Sequence, residues 1–210
     1  MPRRRFHELP AERRDQLLES AAKEFAQHGY DGASLNHILA AAGVSKGAAY
    51  YYFDDKADLF ATVARHAVEH VIDHVSIDFA KLDATSFWPK IRELYATLEV
   101  HTREQPWLLG ITKAMWTLSK DARGNQILAP LWEWARGWLR ELVERGREVG
   151  VIRSDLPTEL VIELFLAIDA VLDRHTLGAI EQGQPVDLTT LVDAVLDMAR
   201  RGLAPPETKP

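Results

Sequence analysis

The sequence predicts an all-α chain in which a small N-terminal three-helix domain with a helix-turn-helix precedes a larger domain of longer helices. Three observations carry this. Apolar residues recur at helical spacing along the chain, and no strand-like alternation follows residue 76. Residues 34–56, SLNHILAAAGVSKGAAYYYFDDK, set a glycine turn between two short helices, the second opening with small and basic residues. The segment LVIELFLAIDAVL is apolar almost all round, so a helix there needs cover on two sides.

Residues 1–10 form a basic, proline-bounded arm. Arg3, Arg4 and Arg5 suit insertion into a minor groove, or equally a disordered solubilising tail. The spacing predicts a helix from about Pro10 to His28, with Leu17, Leu18, Ala21, Phe25 and Ala26 on its apolar face and Gly29 ending it. Short helices follow at about 35–42 and 46–52. Asp55 can cap the next helix, with Asp58 in its first turn as a near capping box. That helix carries Leu59, Phe60, Val63, Ala64, Ala67 and Val71 and leaves the first domain as a connector. Ser86 opens a helix through Ile91, Leu94, Tyr95 and Leu98 that ends before Pro106. A helix over 107–119 breaks at Gly124, and another spans 125–149 through Leu131, Trp134, Trp138 and Leu142 before stopping at Gly150. Asp155 and Pro157 take N-terminal positions of the strongly apolar helix, which Gly183 and Pro185 end. The last helix, about 188–202, lines Leu188, Leu191, Val192, Val195, Leu196 and Ala199 along one face. The tail APPETKP has nothing with which to pack.

Within the helix-turn-helix, Ser34 is a good N-cap, and Leu35, Ile38, Leu39 and Ala42 recur at helical spacing. Gly43 is a stop that tolerates positive φ. Ser45 caps the second helix, whose first turn holds Lys46, Gly47 and Ala48; small residues there allow close approach to base edges. Tyr50, Tyr51 and Tyr52 offer hydroxyls to phosphates, and Phe53 can turn back into the core.

These residues resemble the DNA-binding domain of TetR-family transcriptional regulators. The resemblance spans about Arg13 to Val63 and rests on Ala21, Ala22 and Phe25, the GYDGAS link, and AAAGVSKGAAYYYFDDKADLF. It implies a helix-turn-helix DNA-binding domain over 1–55, a ligand-binding and dimerisation domain over 56–203, and a disordered tail over 204–210. It further implies DNA contacts from Ser34, Asn36, Ser45, Lys46, Gly47, Ala48, Tyr50, Tyr51, Tyr52 and Lys56. Asn36 can pair bidentately with adenine and Ala48 can touch a thymine methyl, whereas Leu35 departs from the polar residue frequent at its position. The family also forms a four-helix bundle from the last two helices of two subunits. The helix beginning near Pro157 agrees, because its apolar surface exceeds what one core covers.

Composition is consistent with this reading. The chain of 210 residues is 47% hydrophobic, enough for a sizeable core, and carries a net charge of −6. Its first 60 residues hold 8 Lys and Arg against 9 Asp and Glu, which favours a specific reader with few phosphate contacts over a protein that coats nucleic acid. The absence of cysteine excludes disulfides and thiolate chemistry and fits the cytoplasm. MPRRRF has no apolar run behind it to make a signal peptide, and no apolar stretch is long enough for a membrane span.

Six tryptophans fall between residues 88 and 138. Singly, each is a core residue; together with Tyr95 and Phe165 they point to an aromatic-rich pocket in the region where the family binds inducers. Tyr95, Trp107, Trp116, Trp138, Phe165 and Asp169 are the ligand-contact candidates. Asp169 interrupts an apolar helix and needs a partner, whether a ligand donor, an arginine or a second subunit. A pocket so lined, with Lys113 the only charge between 107 and 119, suits a largely apolar inducer. His66, His70 and His74 recur at i, i+4 and i+8 on one helix face. The spacing fits metal ligation or a solvated interdomain face; no cysteine or acid clearly completes a site, although Asp73 is near, and His101 and His175 stand isolated. No metal and no cofactor is therefore assigned. No nucleophile–His–acid set, phosphate-cradling loop, GxGxxG or GxSxG is present, so no catalytic residue is assigned.

The reading is a non-enzymatic, homodimeric, cytoplasmic transcriptional repressor that binds a double-stranded operator and is released by a small apolar molecule. Its rivals are a helical-bundle enzyme or small-molecule-binding protein without a DNA role, and an activator of the same fold.

Overall fold

The computed structural model describes residues 2–206, which fold into α-helices and one 3-10 turn with no strand among them. The chain divides into two compact units. One comprises residues 1–70 with 101–133, the other 71–100 with 134–210. The tail expected over 204–210 lies partly outside the described residues: Ala204 to Pro206 follow the last helix, and 207–210 are not described.

The first unit begins with α1 (Arg4–His7) and α2 (Ala11–Gly32). The helical path of α2 breaks at Gly29, whose φ of 67° is open to glycine, so the expected end is there, with one more turn beyond it. The helices α3 (Leu35–Ala41), α4 (Lys46–Tyr52) and α5 (Lys56–Val75) follow. Further along the chain, α7 (Pro106–Leu118) and the start of α8 (Ala122–Glu148) complete this unit. Leu17, Phe25, Ile38, Leu59, Phe60, Ile111 and Leu131 are fully buried. Phe60 meets Phe25 edge-on at 4.9 Å and Tyr30 at 5.3 Å, aromatic packing that adds to burial. Helix α7 lies against α2 so closely that a Cβ on Gly110 would stand 2.4 Å from Ala26 Cβ.

Gly124 does not break a helix. It lies inside α8, whose start is capped by the Asp121 carboxylate accepting from the Gly124 amide at 2.7 Å. Glycine is needed there for space, because a Cβ would fall 1.5 Å from the Leu118 carbonyl oxygen.

The second unit holds the end of α5, the 3-10 turn Phe79–Lys81, most of α6 (Phe87–Glu104), the later part of α8, α9 (Thr158–Glu181) and α10 (Leu188–Leu203). Its core is built from Phe87, Ile91, Leu142, Val143, Ile152, Val161, Ile162 and Leu196, among others. Arg145 donates to the Leu82 carbonyl through Nε at 2.9 Å, and Arg147 to the Leu156 carbonyl at 2.7 Å, satisfying loop carbonyls that no helix serves. Helix α9 buries Val161, Ile162, Phe165, Leu172 and Leu177, yet leaves Leu160, Leu164, Val171 and Ile180 40–51% exposed. Apolar side chains thus occupy both its inner and its outer surface.

Candidate nucleic-acid interface and ligand residues

Local rules place the helix-turn-helix. The Ser34 hydroxyl accepts from the His37 amide at 3.4 Å and starts α3. Gly43, at φ 62°, reverses the chain, and the Val44 amide closes the turn on the Leu39 carbonyl at 2.8 Å. Ser45 accepts from the Ala48 amide at 3.2 Å and starts α4. Phe53 then turns inward, 5% exposed, which fixes the end of α4.

This anchoring leaves one face of α3 and α4 to solvent. Asn36, Ser45, Lys46 and Gly47 are exposed, and Ser34 and Ala48 half-exposed. Nothing lies within 4 Å of a Cβ built on Gly47. Tyr50 and Tyr51 are 51% and 55% exposed, whereas Tyr52 is half-buried. Large exposed aromatics with polar tips, beside a lysine and a glycine, can reach backbone and base edges of a duplex.

Lys56 is differently placed. Its ammonium donates to the carbonyls of Asp31 at 3.1 Å and Ala33 at 3.0 Å and lies 4.9 Å from the Tyr30 ring centre. It therefore ties the end of α2 to the start of α5. Arg123 reaches the same corner, donating to Asp31 at 3.1 Å beside the Tyr30 ring. Burial raises the Tyr30 phenol above its ordinary pKa, and the Arg123 hydrogen bond and charge pull it back.

The basic arm is not a disordered tail. Phe6 is 3% exposed and packs on Phe53 at 5.0 Å. Arg3 donates to the Tyr50 carbonyl and to Asp54, each at 2.8 Å, and its amide donates to the Tyr52 carbonyl. The Arg5 guanidinium lies 4.9 Å from the Tyr51 ring centre. The C-terminal end of α4 is thus braced by an arm read from sequence only for its charge. The signal was Phe6, a single large apolar side chain in a charged segment.

The aromatic candidates are divided between the two units. Trp107 and Trp116 belong to the first unit, where Lys120 covers the Trp116 ring at 3.5 Å. Tyr95, Trp138, Phe165 and Asp169 belong to the second. There Trp138 meets Phe79 at 5.4 Å, and Trp88 stacks on Phe165 at 6.4 Å, all against the core. Asp169 finds a partner in Tyr95, whose hydroxyl donates to it at 3.3 Å. Loss of hydration among neighbouring protein groups raises the Asp169 carboxyl above the usual carboxylate range, and the Tyr95 hydroxyl offsets part of that. Burial also raises Tyr95 well above its ordinary value, with the Asp169 charge adding to it. Asp173, one turn on, is pushed up to about 7 by lost hydration and then by the Asp169 charge. A cavity of about 390 Å³ on α9 is lined by Val171, Arg174, His175, Gly178 and Gln184 and uses none of the predicted ligand residues.

His101 is not isolated. Its ring meets that of His70 edge-on at 5.2 Å. Its sequence signal was absent, because 31 positions of chain separate the two residues.

Comparison with known proteins places this geometry. The family described as bacterial regulatory proteins, tetR family, matches residues 17–63. The chain is similar to the HTH-type transcriptional repressor AcnR of Corynebacterium efficiens, 28% identical over 91% of this chain and 95% of that one. It is also similar to the HTH-type transcriptional regulator AcrR of Shigella flexneri, 44% identical over 52 residues that cover 25% of this chain and 24% of that protein. The fold matches the transcriptional regulator FadR of Bacillus subtilis, solved in complex with stearoyl-CoA, with a TM-score of 0.69 and 18% identity over 90% of this chain and 98% of that one. Among the described residues no helix is long and apolar enough to cross a membrane.

Proposed function

The chain belongs to the tetR family of bacterial regulatory proteins through its helix-turn-helix, and on that premise we propose a homodimeric transcriptional repressor that leaves its operator when a largely apolar small molecule binds. The observation that carries the reading is α4: capped by Ser45 and anchored by Phe53, it turns Lys46, Gly47, Tyr50 and Tyr51 to solvent. Phosphate contacts from the tyrosines and Lys46 fix register, and Asn36 reads a base edge. Lys56 adds a phosphate contact at the end of the helix while holding α2 to α5. The domain over 1–55 reads DNA, and 56–203 binds the ligand and the second subunit.

The dimer forms through α9 and α10, whose exposed Leu160, Leu164, Val171 and Met198 are apolar surface that a second copy covers. Tyr95, Trp138, Phe165 and Asp169, together with Trp107 and Trp116, are the ligand candidates, and they favour an apolar compound with a polar group for Asp169 and Tyr95 to orient. The stearoyl-CoA of the Bacillus subtilis FadR structure carries a long apolar chain, which is a starting point for choosing compounds. The ligand acts by population shift, binding better to a dimer whose recognition helices are out of register with the major groove. This takes place on cytoplasmic DNA.

The test is selection of bound fragments from random duplex DNA by the apo protein, followed by titration of acyl and aromatic compounds against the selected operator. Recovery of a palindromic consensus with half-sites about one helical turn apart, released by an apolar compound, is the expected result. Recovery of no sequence preference would defeat the repressor reading, and release by polyanionic compounds alone would defeat the apolar-ligand reading.

A further inference from the structure

We propose that Arg5 of α1 and Tyr51 of α4 act together as one contact on a DNA phosphate, held in place by the docking of α1 on the end of the recognition helix. The inference rests on the DNA-reading role of α4 and adds to it a residue from outside the helix-turn-helix. Helix α4 has seven residues, too few to be stable alone, and its last carbonyls have no partner within the helix. The arm serves them. The Arg3 amide donates to the Tyr52 carbonyl and its guanidinium to the Tyr50 carbonyl, each at 2.8 Å. A cation there also suits the negative end of the helix dipole. Phe6, packed on Phe53 at 5.0 Å, anchors α1 from its buried side. The backbone from Arg3 to Phe6 is therefore seated on α4, and its side chains act from that position rather than from a strand threaded into the minor groove.

The three arginines differ in what they already meet. Arg3 is committed to Asp54 and the two carbonyls, and Arg4 meets Glu8 at 2.9 Å. Among the described residues no carboxylate pairs with Arg5, whose guanidinium sits over the Tyr51 ring, 4.9 Å from its centre. Stacking on a phenol holds the planar fork and leaves its edge N–H groups free for two oxygens of one phosphate. Tyr51 is 55% exposed, and its hydroxyl makes no hydrogen bond among the described residues. It supplies a further donor beside the guanidinium. Tyr51 also lies one turn after Gly47, where no side chain holds a duplex away.

The test uses the full chain in salt titrations of random duplex and of the operator selected by the wild type. Arg5→Ala should lower the salt slope by about one unit per occupied half-site and weaken binding to both duplexes about ten-fold. Arg5→Lys keeps the charge without the fork, so it should restore the slope and only part of the affinity. Tyr51→Phe should weaken binding about five-fold at an unchanged slope. Arg5→Ala combined with Tyr51→Ala should lose less than the product of the two single losses, since each breaks the same contact. These side chains are exposed, and the conservative pair Arg5→Lys and Tyr51→Phe keeps the test sound if an alanine variant misfolds. An unchanged slope in Arg5→Ala, or an equal loss in Arg4→Ala, would overturn the contact. So would an altered preference for A·T pairs beside the half-site, the mark of minor-groove insertion. A wild type that selects no operator would overturn the DNA-reading role itself, and the contact with it.

Discussion

Two exposed faces of this molecule carry large side chains in solvent and ask for different partners. On α4 they are Tyr50 and Tyr51, each more than half exposed, with Lys46 and Gly47 beside them. On α9 they are Leu160, Leu164 and Val171, with no hydroxyl or amide among them. A phenol loses little by staying wet and gains where an acceptor or a phosphate approaches. An aliphatic side chain gains only from leaving water, at about 25 cal/mol per Å². The difference teaches that exposure alone does not define a site. The polar tip decides whether a face is for a charged polymer or for a second apolar surface.

The largest expected effect comes from placing a charge on the apolar face. Leu164→Glu alters a side chain 40% exposed in the single chain, so the fold should survive. Light scattering should show monomers, and operator affinity should fall by about a hundred-fold or more as the avidity of paired half-sites is lost. A dimer that persists with unchanged affinity would mean that α9 is not the interface.

The polar face breaks in smaller steps. Asn36→Ala should cost about 1–3 kcal/mol at a single base-pair position per half-site and little elsewhere. Binding selections on the variant that keep the wild-type preference would remove Asn36 as a reader. Lys56→Met should lower the salt slope of operator binding by about one unit. It should also lower Tm, because its ammonium serves the Asp31 and Ala33 carbonyls. A change in Tm with an unaltered salt slope would make Lys56 a structural residue only.

The two faces also differ in how much of them is legible in sequence. The α3–α4 turn depends on neighbours: Ser34, Gly43 and Ser45 act within five residues of their own positions, so the spacing of SLNHILAAAGVSKG is enough. The excess apolar surface of α9 was equally legible, because a helix hydrophobic all round reports its own need for cover. Contacts between distant segments were not. Phe6 with Phe53, Arg3 with Asp54, and His70 with His101 join residues 31 or more positions apart, and no periodicity encodes such pairs. The division of the tryptophans between the two units was hidden for the same reason. Their count was visible, but their distribution between two units depends on which helices pack together. Gly124 was misread because a glycine demanded by a close carbonyl looks, in one dimension, like a glycine that ends a helix.

The smallest effect lies where the apolar face carries a carboxylate. Asp173 is pushed up to about 7 in the folded chain, first by lost hydration and then by the Asp169 charge one turn away. Unfolding returns it to its ordinary value of 3.8, so between these limits the folded state holds more protons than the unfolded one. Stability should therefore be fully present below about pH 4 and be lost as pH rises through about 7, the reverse of an ion-paired acid. Partial exposure tempers the loss to the order of 1–2 kcal/mol. Asp173→Asn retains the shape of the neutral acid and removes the titration, so urea midpoints at pH 5 and pH 8 should differ less in the variant than in the wild type. If α9 lies against a second subunit, further dehydration raises the same carboxyl again, and the pH effect should grow with protein concentration. A pH effect of equal size in wild type and variant would assign the titration to another group. One that ignores concentration would leave Asp173 outside the subunit contact.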